Sequence, residues 1–318
     1  MDQQNPKLNL APEKTAPKKD KRVGPKFPSF LHYRLPPSST FTKTREVLKD
    51  LGLNTVCEEA KCPNRMGCYS KKTATFLALG KTCTRACGFC EIDFSKAPAP
   101  PDPEEPQKIA QSVRLLALSH VVITMVARDD LPDGGASHIV AIIKAIKETA
   151  PESTIEVLTS DLMNNQESIG SIIDTGIEVF NHNIETVRPL SRRVRHVANY
   201  DRTLEVLKYA KSLNKVPFIK SGIMLGLGEE EADVKQTLND LKQSGCDVIT
   251  MGQYLQPSRK KLQVKSFIPP AIFDAYRDYG LSIGLMHVYA GPFVRSSYNA
   301  KDLLKTLENK RKKIHGHL

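Results

Sequence analysis

Six of the seven cysteines in this chain lie between positions 57 and 90, in two groups of three: Cys57-x4-Cys62-x5-Cys68 and Cys83-x3-Cys87-x2-Cys90. Thiolate is a soft ligand that suits iron–sulfur clusters, zinc or copper(I), so two compact groups point to two metal centres rather than to scattered core thiols. A [4Fe-4S] cube takes four ligands. A triad therefore leaves one iron for a donor that is not cysteine, and an open position is what a catalytic metal keeps.

Two other uses of cysteine compete with this reading. Disulfides staple small secreted domains, whereas 318 residues support a full core and the N-terminus does not resemble a signal peptide. Structural zinc usually pairs two C-x2-C knuckles or ends in a spaced histidine pair, and no such pair follows here. Cys246 stands alone near the end of an amphipathic segment and reads as a small buried hydrophobe.

The surrounding pattern is that of alternating strands and helices. Strand-like runs occur at 75–79, 120–126, 154–158, 177–180, 216–225 and 247–251. Helical periodicity covers roughly 104–118, 136–150, 165–175, 200–213, 229–244 and 269–280, and a shorter helix is expected over 38–52. The first triad falls in a turn-rich loop with Pro63, Asn64 and Gly67. Alternation of this kind predicts parallel βα units. Six units are too few for a closed eight-stranded barrel and fit an α/β fold of the partial (β/α)6 TIM-like barrel type.

Polar and glycine-rich clusters follow the strands. They are Cys83/Cys87/Cys90, the run from Arg128 to Gly135, Ser160-Asp161, Asn181 to Thr186, Gly226 to Glu229, and Gly252-Gln253-Tyr254. In β/α barrels the C-terminal ends of the strands form the active-site face, so the second triad is expected inside a reaction chamber.

The two ends carry +8 of the net charge of +11, which leaves the middle of the chain nearly balanced. The Lys- and Pro-rich arm reads as a solvated, disordered segment, and neither basic end supports a nucleic-acid function. No apolar run is long enough to span a bilayer. The expected division is a basic arm at 1–27, an extension with the first triad at 28–70, the barrel at 71–290 and a C-terminal segment at 291–318.

The run Cys83-Thr-Arg-Ala-Cys87-Gly-Phe-Cys90, placed after the first strand of a βα array, resembles the signature of radical S-adenosylmethionine (SAM) enzymes. The first triad, together with Arg295-Ser296-Ser297-Tyr298, resembles the lipoyl synthase family within them. The likeness continues through RDDLPDGGA, NHNIET, KSGIMLGLGE and GQYLQP, over about residues 40–300. The resemblance implies two [4Fe-4S] clusters. One, on Cys83, Cys87 and Cys90, would cleave S-adenosyl-L-methionine to a 5′-deoxyadenosyl radical; the other, on Cys57, Cys62 and Cys68 with Ser297 as fourth ligand, would give up sulfur at C6 and C8 of a protein-bound octanoyl chain.

The resemblance also implies partners. They are octanoylated carrier domains (2-oxoacid dehydrogenase E2 subunits or the glycine cleavage H protein), an electron donor and iron–sulfur carrier proteins, in the cytoplasm, with no membrane or nucleic acid involved. Gly134 and Gly135 let backbone approach the methionine end of the cofactor, or simply make a loop. Phe89 packs near adenine or shields the cluster. Asn183 and Glu185 hold a ribose or amino group, or are structural. His182 reads as a core residue, and Gly226-x-Gly228 is a weak phosphate-loop signal better suited to an adenine or ribose contact.

Several positions depart from the family pattern: Arg65-Met66-Gly67, Tyr69 to Lys72, Ala127, Ser160 and Lys261. None removes a cluster ligand. Three rival readings remain at this level: another sulfur-inserting or methylthio-transferring radical enzyme, an iron–sulfur electron carrier, and a zinc-dependent nucleic-acid binder. The RSSY run, the incomplete triads and the position of the charge argue against each in turn.

Overall fold

A computed structural model describes residues 27–32, 39–70, 74–297, 300 and 306. Nearly all of the predicted basic arm and most of the C-terminal tail lie outside the described residues. Among those described, no helix is long and apolar enough to cross a membrane.

The strands are β1 (Thr75–Ala78), β2 (Thr82–Cys83), β3 (Asp93–Phe94), β4 (His120–Met125), β5 (Thr154–Leu158), β6 (Val179–Asn181), β7 (Phe218–Leu225), β8 (Val248–Gln253) and β9 (His287–Gly291). Seven of them form one parallel sheet in the order β1-β4-β5-β6-β7-β8-β9, while β2 and β3 pair separately. The helices are α1 (Ser39–Asp50), α2 (Val56–Glu59), α3 (Arg65–Ser70), α4 (Glu105–Leu116), α5 (Ala136–Thr149), α6 (Gln166–Ile173), α7 (Arg188–Val194), α8 (Tyr200–Ser212), α9 (Glu231–Gln243) and α10 (Pro270–Ser282).

The α/β expectation holds, and the sheet has one strand more than the six-unit reading. β9 pairs with β8 from Val248↔His287 to Gly252↔Gly291. Only Val288 of its five residues is buried, so no apolar run announced it. The turn-rich loop expected around the first triad contains α2 and α3, which are too short to show a periodicity.

Helical spacing explains the packing. In α5, Ile139, Ile142, Ile143 and Ile146 recur at i, i+3, i+4 and i+7, and all four are buried against the sheet. In the same way α6 buries Ile169, Ile172 and Ile173, and α9 buries Val234, Leu238 and Leu241. Of the strands, β1, β4, β6, β7 and β8 are buried along nearly their whole length and so on both faces, as a parallel sheet under helices requires. A charged pair sits inside: Lys220 Nζ on β7 donates to both Glu156 oxygens on β5, at 2.9 and 3.1 Å, and Asn181 Nδ2 on β6 donates to Glu156 Oε1 at 2.8 Å. Adjacent strands are thereby tied across the interior.

β1 and β9 are the sheet edges, and the first-triad segment bridges them. Leu77 N donates to Asn54 O at 2.9 Å, and Asn64 Nδ2 donates to Phe293 O at 2.7 Å just past β9.

Candidate active site

The second triad sits on a loop held at several points. The parallel pairs Thr82↔Asp93 and Cys83↔Phe94 close its base, with Ser95 N donating to Cys83 O at 3.0 Å. Thr84 N donates to Ala127 O beyond β4 at 3.0 Å, Gly88 N to Val194 O at 2.8 Å, and Leu262 N to Gly88 O at 2.9 Å. Arg85 is the central anchor. Its guanidinium donates twice to Asp129, at 2.8 and 2.6 Å, and once to buried Asp161, at 2.6 Å. It therefore ties the cysteine loop to the segments after β4 and β5.

The first triad is built on α2 and α3. Thr55 caps α2 by accepting from Glu58 N at 3.3 Å, and its hydroxyl also meets Tyr69 Oη at 2.8 Å. Tyr69, one of the departures from the family pattern, is fully buried with its hydroxyl paired. Cys62 N donates to Cys57 O, and Cys68 N to Asn64 O. These bonds bring Cys57, Cys62 and Cys68 near enough for each neighbour's charge to act on Cys57.

All six cysteines and Ser297 face one cavity of about 520 Å³. Burial pushes the Cys57 and Cys87 thiols up to about 12 and Cys90 to about 11, and neighbouring thiols of each triad push the same way. Such thiols become thiolates only with a cation to compensate, which is the chemistry of a metal site that releases protons on loading. Among the described residues, no three His, Cys, Asp or Glu side chains converge closely enough to share a single ion. One tetrahedral zinc would bring its thiols to about 3.8 Å from each other. The ligands of an iron–sulfur cube are cysteine thiolates on different irons, so three cysteines in each group are the type of donor that such a cube takes.

The remaining expected contacts divide. Phe89, Asn183 and Glu185 line the cavity. Glu185 adopts φ 65° and extends the strand ladder, with its N donating to Gly222 O and its O accepting from Met224 N, both at 2.9 Å. Burial raises its carboxyl, and Asn183 Nδ2 donates to it at 3.0 Å. Gly134 and Gly135 are not among the cavity-lining residues. Gly135 has φ 91°, and a Cβ there would come within 2.5 Å of Leu79 Cδ1, so turn geometry and packing over the end of β1 account for it. Gly226 and Gly228 also lie outside the lining. The Gly226, Leu227 and Gly228 amides point at the Glu229 carboxylate at 2.8–3.3 Å, so they offer no phosphate loop.

His182 is buried between Thr159 O, at 3.0 Å, and Thr203 Oγ1, at 3.2 Å, and burial lowers it to about 4, so the ring is neutral. The structure adds Arg195, which sequence reasoning missed. It is buried, lines the cavity and donates to Asn183 O at 2.9 Å and Thr203 Oγ1 at 2.6 Å. Its Nε, with Asn183 Oδ1 and Thr159 Oγ1, is buried without a protein partner among the described residues. Buried polar atoms are ordinarily satisfied, so three such atoms around one cavity suit a polar ligand. Nothing in the basic run from Arg192 to Arg195 set that arginine apart from its solvated neighbours.

On the other side, Ser297 Oγ accepts from Thr75 Oγ1 at 2.8 Å. Arg295, also in the lining, donates to Val294 O at 2.6 Å; burial disfavours its charge and lowers it, against a smaller opposing pull from the nearby Cys62 sulfur. Gly252 makes room for this turn: a Cβ there would overlap Val294 O.

Comparison with known proteins places this geometry. A model of the radical SAM superfamily matches residues 77–241, and a model of the N-terminal domain of lipoyl synthase of the radical SAM family matches residues 2–62. The lipoyl synthase of Protochlamydia amoebophila (strain UWE25) is 54% identical over 307 residues, covering 96% of this chain and 95% of its own. That of Chlamydia felis (strain Fe/C-56) is 54% identical over 308 residues, covering 96% of this chain and 98% of its own. The crystal structure of methylornithine synthase (PylB) superimposes with a TM-score of 0.52 at 15% identity, over 87% of this chain and 93% of that chain, a likeness of fold alone.

Proposed function

The chain belongs to the lipoyl synthases of the radical SAM superfamily, and from that membership we propose that it inserts two sulfur atoms, at C6 and C8, into an octanoyl group carried on a protein. The observation that carries the reading is the shared cavity, which receives both cysteine triads and Ser297. In this reading Cys83, Cys87 and Cys90 hold the cluster that binds S-adenosyl-L-methionine, and Cys57, Cys62, Cys68 and Ser297 hold the auxiliary cluster. When bound, the two clusters supply the electron that breaks the carbon–sulfur bond of the cofactor and the sulfur that is inserted.

The protein's own residues bind, orient and exclude water. Arg85 fixes the second triad's loop against two carboxylates. Asn183, Glu185 and Arg195 present polar atoms to the amino, carboxylate or ribose groups of the cofactor, and Phe89 covers it from the cluster loop. Met125, Val126, Ile223, Met224 and Met251 give the cavity an apolar wall for an alkyl chain. Dry walls also keep a carbon radical from side reactions with solvent. A hard serine oxygen is a weaker partner for iron than thiolate, which suits a cluster that must open.

The substrate is an octanoylated lipoyl-carrier domain; E2 subunits of 2-oxoacid dehydrogenases and the glycine cleavage H protein are the carriers proposed. A protein electron donor and iron–sulfur carriers belong to the same reading, as does a cytoplasmic setting, since thiolate ligands need a reducing compartment. The division into an arm, an auxiliary-cluster extension, a barrel and a C-terminal segment is likewise proposed. The test is anaerobic reconstitution with iron and sulfide, then reaction with an octanoylated peptide and mass analysis. Two sulfurs gained and two 5′-deoxyadenosines formed per finished product are expected; nucleoside without sulfur gain would overturn the reading.

A further inference from the structure

Three side chains from distant parts of the sequence meet at the cavity rim. Glu91 follows Cys90 directly, and its Oε1 accepts from Lys61 Nζ at 2.6 Å while its Oε2 accepts from Ser258 Oγ at 2.9 Å. Lys61 immediately precedes Cys62, and both Lys61 and Glu91 line the cavity beside Gln256 and Pro257. One carboxylate thus joins the first triad's loop, the second triad's loop and the loop after β8. The third loop is itself braced, with Lys261 N donating to Ser258 O at 3.1 Å and Gln256 Nε2 donating to Lys261 O at 2.9 Å.

We propose that Glu91 is a positioning residue that sets the placement of one cysteine triad relative to the other by holding Lys61. The proposal rests on the lipoyl synthase reading, in which radical formation and sulfur donation occur at different triads. The Lys61 side chain is 58% exposed and that of Glu91 15%, so the pair contributes little to global stability. Its effect is geometric. Other described ties of the first-triad segment run to the sheet edges, through Asn54–Leu77 and Asn64–Phe293, and back to α1, where Thr44 Oγ1 donates to Tyr69 O at 2.9 Å; none of these reaches the second triad's loop. The Lys61–Glu91 bond runs across the cavity rim from one triad's loop to the other. Misplacing reacting groups by about 1 Å costs about a hundredfold in rate, so a bond of small energy has a large lever here.

The experiment compares the full chain, reconstituted anaerobically, as wild type, Glu91→Gln, Lys61→Met and the swapped pair Lys61→Glu with Glu91→Lys. Glu91→Gln keeps an oxygen for Ser258 and removes the ion pair. Lipoyl product formed per 5′-deoxyadenosine should fall about fivefold or more in both single variants, within the range such misplacement gives. Hydrogen exchange should speed up over residues 57–68 at full iron content, and the swapped pair should recover both readouts. An unchanged product ratio, lost iron in place of uncoupling, or a swap that recovers nothing overturns the proposal. If the wild type itself inserts no sulfur, the lipoyl synthase reading fails, while the exchange measurement still decides whether Glu91 holds the two loops together.

Discussion

Thr75 and Ser297, 222 residues apart, share a hydrogen bond of 2.8 Å from one hydroxyl to the other. Thr75 opens β1, at one edge of the sheet, and Ser297 follows β9, at the other. The Thr75 backbone also hydrogen-bonds the Cys57 sulfur, so the hydroxyl bond places the serine oxygen near the first triad. If that oxygen completes the auxiliary site, Ser297→Ala should still cleave S-adenosyl-L-methionine but lose sulfur insertion by about tenfold or more, as loss of a metal-site contact typically costs. Product analysis beside a nucleoside assay checks this, and undiminished sulfur insertion would remove Ser297 from the site.

Arg85 is the anchor of the second triad's loop, and its side chain is 5% exposed against a fully buried Asp161. Breaking a buried pair costs about 3–5 kcal/mol, and because Asp161 also accepts from Arg202 Nη1 at 3.2 Å the loss of Arg85 falls at the lower end of that range. Arg85→Met should lower the unfolding free energy of the cluster-free protein by about 3 kcal/mol, read from its urea midpoint and slope. Asp161→Asn should be milder, because an amide oxygen can still accept from Arg85. Equal and small shifts in both would show that the network is not a structural anchor.

The neutral His182 predicts a pH window. Its value falls from the ordinary 6.5 to about 4 in the fold, because burial disfavours the charged ring. The unfolded chain therefore takes up the proton first as pH falls, and stability declines from about pH 6.5 to about pH 4. Asp161, which Arg85 holds down to about 2, acts lower: its contribution is present above the ordinary 3.8 and is lost as pH falls toward 2. Urea midpoints at pH 7 and pH 5 should differ more in the wild type than in His182→Gln. Equal differences would mean that the histidine does not set the window.

Gly252 gives a steric test of the C-terminal turn. A Cβ at this position overlaps Val294 O, a backbone atom with no rotamer to move. Gly252→Ala should cost about 1–3 kcal/mol as overpacking, and it should weaken iron retention at the first triad more than at the second. Site-selective loss is readable by Mössbauer spectroscopy of reconstituted protein. Equal loss at both sites would mean that the turn does not position Ser297.

Local patterns in the chain pointed to the type of chemistry and to the class of architecture. Cysteine spacing is a short-range property, so two soft-ligand triads were legible directly. The strand–helix alternation follows from periodicity within each segment, so the parallel α/β sheet and the placement of the second triad at strand ends were legible as well. What depends on distant partners was not. β9 has one buried residue and exists because β8 offers it a ladder; Arg195 resembles its exposed neighbours until the fold closes over it; Gly134 and Gly135, read as cofactor contacts or as a loop, have Leu162 and Leu79 as their neighbours, which no local run of residues foretells. The two triads share one cavity with Ser297 because the sheet curves until its edges are bridged by Thr75 and Asn64. That convergence is set by the summed twist and register of seven strands, a property of the whole sheet that no local run of residues contains.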